Sequence, residues 1–268
     1  MNLTEKKLAE LVRRISERGH LKSIKAEFEA EGTRSDELLR LLDVTRTCDV
    51  PLTLKIGGCE AVKDLYEARQ FGARFIVAPM IESDYALRKF CDTIKKVYPA
   101  EEAGEVDFLF NIETIQAFRS FDGILQVAIE NSEISGVVFG RTDFSGSLGI
   151  KGDVQNEKVT ECIEGIASKL KETDLDLVVG GAISIASIPE LTRIAQHRLT
   201  RFETRKVVFD GAQLKDDNLA DSLLDAVHFE ILWLVNKSDY YGALQQEDKN
   251  RIAQLEDRWN VLSREFTH

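Results

Sequence analysis

The feature that most constrains this chain is an alternation of short β-rich runs with helically spaced segments, sustained across most of its 268 residues. The runs are Ser23–Glu29, Leu52–Gly57, Phe75–Met80, Asp107–Glu113, Gly136–Asp143, Asp176–Ile183 and Lys206–Asp210. Between them apolar residues recur every three or four positions. In 153–171, for example, Val159, Ile163, Ile166, Ala167 and Leu170 share one face. Strands that alternate with helices imply βαβ units and a parallel sheet. The chain has the length of one complete (β/α)₈ barrel. Seven strands are identifiable; the eighth is hidden near the N-terminus or replaced.

The expected architecture is α/β: one domain over residues 1–268, built as a (β/α)₈ TIM-type barrel over 21–215. An extra N-terminal helix covers 1–20, with Leu8, Leu11, Val12 and Ile15 on one face, and C-terminal helices cover 216–268. In the tail, Leu223, Leu224, Val227, Ile231, Leu234 and Val235 line one face, and a second, charged helix runs through Trp259. That apolar face is longer than a closing barrel helix needs, so a homo-oligomer is expected.

Apolar residues make up 43% and charged residues 30%, the balance of an ordinary soluble enzyme. The net charge of −11 argues against nucleic acid or an anionic membrane as the main partner. It leaves open a small anionic substrate, since a site can be locally basic. No apolar run reaches the length of a membrane span, and the N-terminus is too charged for a secretory signal. Cys48, Cys59, Cys91 and Cys162 fit no zinc spacing; free thiols in a cytoplasmic protein are the expectation. Neither common glycine-rich nucleotide loop is present.

Side chains alternate faces along a strand. Ile24, Ala26, Phe28 and Ala30 share one face of the first run, and Lys25, Glu27, Glu29 and Glu31 the other. Thr53, Lys55 and Gly57 oppose Leu52, Leu54 and Ile56; Leu109, Asn111 and Glu113 oppose Phe108, Phe110 and Ile112. In a barrel, inward polar residues at the C-terminal ends of strands belong to the active-site mouth. Glu31, Lys55, Glu113 and Asp143 fall at such ends. Two carboxylates from adjacent strand ends, Glu113 and Asp143, suit a hard cation such as Mg²⁺ or Mn²⁺. Zinc is disfavoured because His20, His197, His228 and His268 sit in or beside helices or at the terminus.

The segments GARFIVAPMIES, FNIET and GVVFGRTDFSGSLG, in this order and spacing, resemble the HpcH/HpaI aldolase/citrate lyase family over about 30 to 210. The resemblance implies cleavage or formation of a carbon–carbon bond beside a pyruvate or acetyl enolate. It implies that Glu113 and Asp143 bind the metal, which stabilises the enolate as a Lewis acid. The turn Ser145-Gly146-Ser147-Leu148-Gly149 would shape the carboxylate pocket. Two departures stand out. The family's aldolases carry an acidic residue and a histidine after the first catalytic strand, where this chain has Glu31-Gly32; the histidine's acidic partner is replaced by Gln70. They also carry an arginine where this chain has Lys55.

The resulting expectation is a metal-dependent carbon–carbon lyase or aldolase acting on a small carboxylate, a 2-oxo acid. Lys55 would offer positive charge to the enolate, and Glu31 would support metal waters or move a proton. Arg34, Arg141, Ser145 and Gly146 would bind substrate. A transferase joining an enolpyruvate unit to a larger acceptor, and a non-catalytic metal-binding barrel, are the alternatives. A Schiff base on Lys55 is a further chemical option.

Overall fold

The computed structural model describes residues 1–266, so the expectation for His268 lies outside them. Eight strands close into a barrel in chain order: β1 (Leu21–Glu27), β2 (Leu52–Lys55), β3 (Phe75–Ala78), β4 (Asp107–Ile112), β5 (Ile134–Gly140), β6 (Asp176–Gly180), β7 (Arg201–Glu203) and β8 (Val207–Asp210). From β1 to β7 neighbours are parallel. β8 runs antiparallel to both β7 and β1.

The missing strand is thus neither N-terminal nor replaced. It is the three-residue β7, too short to show a period, and it turns directly into β8. Only residues 204–206 separate the two, far fewer than a parallel crossover requires. The run read as Lys206–Asp210 therefore points the opposite way from the rest, and its N-terminal end lies at the mouth. Lys206 and Arg205 come to the mouth by this reversal.

Alternation then sorts the side chains. Val77, Leu109, Val138 and Val178 fill the barrel interior, with Phe75 against them. Their neighbours Ile76, Phe108, Val137 and Leu177 face outward into the layer between strands and helices. That layer is closed by α1 (Leu3–Glu17), α2 (Ser35–Thr47), α3 (Val62–Phe71), α4 (Asp84–Val97), the short α5 (Ala100–Ala103) and α6 (Ile115–Arg119), α7 (Phe121–Glu130), α8 (Arg141–Ser147), α9 (Glu157–Leu170), α10 (Ile188–Ile194) and α11 (Leu219–Glu265). In α1 the predicted stripe Leu8, Leu11, Val12 and Ile15 is buried, and Asn2 and Glu5 cap its start reciprocally. Among the described residues no helix is long and apolar enough to cross a membrane.

The C-terminal region differs from the expected pair of helices. α11 is one helix of 47 residues, about 70 Å long at ~1.5 Å per residue. Its first half packs on α1 through Leu219, Leu223, Ala226, Phe229 and Trp233. Leu223 aside, the face predicted as apolar is turned to solvent: Leu224, Val227, Ile231, Leu234 and Val235 are exposed.

Two buried carboxylates bind α11 to the body. Glu5 accepts from the Asn2 amide, Arg40 Nε and Asn236 Nδ2. Glu37 accepts from Lys237 Nζ at 3.0 Å and Tyr241 Oη at 2.7 Å. Burial opposes both charges, but these donors outweigh it and hold each pKa below the ordinary glutamate value. A depressed folded pKa stabilises the fold above the ordinary value, and that stability disappears as pH falls through the folded one. The Glu5→Gln, Glu37→Gln double variant should therefore lose stability against wild type at about pH 6, with the gap closing towards about pH 3. Urea midpoints across that range check this; a gap that stays constant would contradict it.

Candidate active site

At the C-terminal end of the parallel strands a cleft of about 340 Å³ opens, lined by the last inward residues of β1, β2 and β7 and by the segments after β3 to β6. Its floor is ionic. Lys25 lies between Glu27, at 3.0 Å, and Glu203. Lys55 lies between Glu29, at 2.9 Å, and Glu113, at 3.3 Å. Burial works against the charge on each lysine. For Lys55 the carboxylates of Glu113 and Glu29 outweigh it, and for Lys25 those of Glu203 and Glu27 do. Both pKa values are raised, so both lysines are ammonium ions near neutral pH. Lys55 is thereby a fixed positive charge rather than a proton carrier. A neutral amine for a Schiff base is disfavoured for the same reason.

Glu113 is the most completely held group in the cleft. It follows the last residue of β4 and is buried. Oε1 accepts from the Met80 amide at 2.9 Å, and Oε2 accepts from Asn111 Nδ2 at 2.6 Å and from Lys55. Met80 has a φ of 51°, a left-handed conformation that a non-glycine residue adopts at a cost of about 1 kcal/mol or more. That strain sits where the amide turns onto Glu113. Gly140, at the end of β5, leaves the space the carboxylate occupies: a Cβ there would lie 2.9 Å from Glu113 Oε2. Asn111 Oδ1 is buried and accepts no hydrogen bond from the described residues. It is an acceptor in the cleft beside the carboxylate with the most donors.

Asp143 lines the same cleft but not from a strand end: β5 stops at Gly140, and Asp143 lies in the first turn of α8. It is exposed and has no hydrogen bond or ion pair among the described residues.

The cleft's net charge matches a divalent cation. Glu27, Glu29, Glu113, Asp143 and Glu203 line the cleft with Lys25, Lys55 and Arg205. Five negative charges against three positive leave two negative charges, one divalent ion's worth. Among the described residues no group of three or more His, Cys, Asp or Glu side chains is placed to hold a metal by itself. Mg²⁺ and Mn²⁺ need only one or two carboxylates, with waters and substrate oxygens completing the shell. The oxygen donors, the free Asp143 and the residual charge fit such an ion.

The other expected site residues are not in the cleft. Glu31 lies beyond the end of β1, paired with Lys206 and with Arg205 at 3.3 Å. Arg34 is the exposed residue before α2, its guanidinium 4.8 Å from the centre of the Tyr241 ring. Arg141 is fully buried and donates to the carbonyls of Gly180 and Gly181 and to Glu190. Gly181 must be glycine for this approach, since its φ is +89° and a Cβ would lie 2.7 Å from the Thr142 nitrogen. Ser145 is buried with its hydroxyl on the Thr142 carbonyl, and Gly146 is inside α8. The expected pocket turn is therefore mostly helix. Gln70 is exposed on α3. In exchange the cleft gains Glu203 and Asn111, which sequence reading missed. Glu203 lay in the unseen strand; Asn111 had a usable signal, two residues before Glu113 on the same inward face.

The family model of the HpcH/HpaI aldolase/citrate lyase matches residues 36–190. No curated protein matches the chain. Among solved structures, an HpcH/HpaI aldolase from Desulfitobacterium hafniense DCB-2 is 20% identical, with a TM-score of 0.58 over 73% of this chain and 82% of that one. The citrate synthase SbnG is 16% identical, with a TM-score of 0.59 over 82% and 89%. An HpcH/HpaI aldolase/citrate lyase family protein from Burkholderia cenocepacia J2315 is 13% identical, with a TM-score of 0.62 over 92% and 91%. At these identities the structures establish the shared barrel.

Proposed function

Because the chain belongs to the HpcH/HpaI aldolase/citrate lyase family, we propose that its cleft is the site of a metal-dependent carbon–carbon lyase or aldolase acting on a 2-oxo acid of the pyruvate or oxaloacetate type. The observation that carries this is the cleft's residual charge: its five carboxylates, the uncommitted Asp143 and the fully oriented Glu113 among them, exceed its three cations by two. Glu113 and Asp143 would hold Mg²⁺ or Mn²⁺, which supplies Lewis-acid stabilisation of negative charge on a substrate oxygen.

The chain's own residues supply the rest. Lys55 keeps a fixed positive charge beside Glu113 and holds that carboxylate in place. Asn111 Oδ1 accepts a hydrogen bond from a water or a substrate hydroxyl, which satisfies its buried lone pairs. Glu29, which lines the cleft where Glu31 does not, would take a proton from the substrate methyl, leaving the enolate. Among the described residues no histidine lines the cleft. General acid–base help is typically worth about 10²–10⁴-fold, and a histidine poised near neutral pH supplies it best. Cleavage of 4-hydroxy-2-oxo acids is therefore expected to be much slower than decarboxylation of oxaloacetate, in which carbon dioxide leaves without prior proton removal.

The test is solvent deuterium exchange into the methyl group of pyruvate with Mg²⁺ or Mn²⁺. Exchange above the metal-free protein is expected. Its absence with both metals would remove the enolate reading.

A further inference from the structure

The second half of α11 projects away from the barrel. Every residue from Gly242 to Phe266 is exposed except the half-buried Ser263. Yet this segment carries Ile252, Leu255, Trp259, Leu262 and Phe266, spaced three, four, three and four residues apart. Trp259 is 70% exposed and Phe266 88%. This 3–4 repeat, two heptads long, is the narrow stripe of a two-helix seam rather than the wider stripe of a helix lying on a globular surface. A helix of this length is marginal in water unless something packs on its apolar face, and Gly242 weakens it further.

We propose that residues 252–266 pair with the same segment of a second copy of this chain as a parallel two-stranded coiled coil. Like-with-like pairing is favoured because it places each of the five apolar residues opposite its own counterpart. The flanking charges agree. Position Arg251 precedes one seam residue and Glu256 follows the next, so in a parallel pair Arg251 meets Glu256 of the partner subunit, twice by symmetry. Arg258 meets Ser263 of the partner subunit, and no like charges face each other. An antiparallel pair joining Ile252 to Leu262 would set Arg258 against Arg258 of the partner subunit and Glu256 against Glu256 of the partner subunit. It would also leave Phe266 opposite Asp248 of the partner subunit. The other antiparallel register, joining Trp259 to Leu262, leaves Ile252 unpaired.

The test uses the full chain. Sedimentation of wild type at micromolar concentration should give a dimer. In the Leu255→Glu, Trp259→Glu double variant the dissociation constant should rise about 100-fold or more, because each large apolar side chain removed from a buried seam is worth about tenfold or more. Thermal unfolding of the barrel should be unchanged. The Ile252→Cys variant, oxidised, should run as a covalent dimer on a denaturing gel, while wild type with its four native cysteines does not. A monomeric wild type overturns the proposal, as does a dimer indifferent to the double variant. A dimer lost in the double variant but not crosslinked through Ile252→Cys also overturns it. That outcome would place the segment on another surface of the partner subunit, for instance the exposed apolar face on the first half of its α11.

Discussion

Glu113→Gln should reduce pyruvate methyl exchange by about 10³-fold, near the upper end of what one preorganised electrostatic contact contributes. Glutamine matches the volume of glutamate but puts an amide donor where a carboxylate oxygen stood. Three donors already converge there: the Met80 amide, Asn111 Nδ2 and Lys55 Nζ. The variant amide can satisfy some of them with its one oxygen, while its NH₂ faces another donor. Lys55 also loses one of its two carboxylate partners while remaining buried. Mn²⁺ affinity should fall with the exchange rate. Asp143→Asn provides the complementary measurement: Asp143 is exposed and uncommitted, so its replacement should leave the folding midpoint unchanged and still weaken Mn²⁺. Wild-type exchange and Mn²⁺ affinity in both variants would remove the metal assignment, whatever the fold does.

Arg141→Met should destabilise the protein by about 3–5 kcal/mol, the usual cost of leaving one member of a buried ion pair without its partner. The guanidinium is fully buried and connects the start of α8 to the Gly180–Gly181 carbonyls, to Ser187 and to Glu190. Without it Glu190 keeps only Thr160, and the Gly181 carbonyl loses two donors. Arg141→Lys restores the charge but not the planar fork that reaches carbonyls and carboxylate together, so it should recover only part of the loss. Urea denaturation reads the effect. If Arg141 instead bound substrate, as its position in the GRTDFS segment suggested, stability would be retained and the defect would appear in KM alone. The same segment thus carries a cleft carboxylate, Asp143, and a structural strut two residues earlier, on opposite sides of one helical turn.

The sequence by itself determined the barrel, the helical stripes of α1 and α9, and the arrival of Lys55 and Glu113 at one end. Those follow from local periodicity: a two-residue alternation on strands fed by helices leaves few ways to bury the apolar face. The family resemblance rests on the same segments. What tertiary structure alone decided is where long side chains go and which way short strands run. A three-residue β7 has no readable period, so neither Glu203 nor the reversed β8 was visible, and with them went the placement of Arg205 and Lys206. Arg34 and Arg141 went to Tyr241 and to Glu190, partners far along the chain that no local spacing encodes, and Ser145 turned back onto the Thr142 carbonyl. In α11 the chain carries apolar residues on two faces, and only the packed structure shows which is buried: α1 takes the face of Phe229 and Trp233 because that one meets its Leu8, Leu11 and Val12 side at the barrel wall, leaving the other to the solvent.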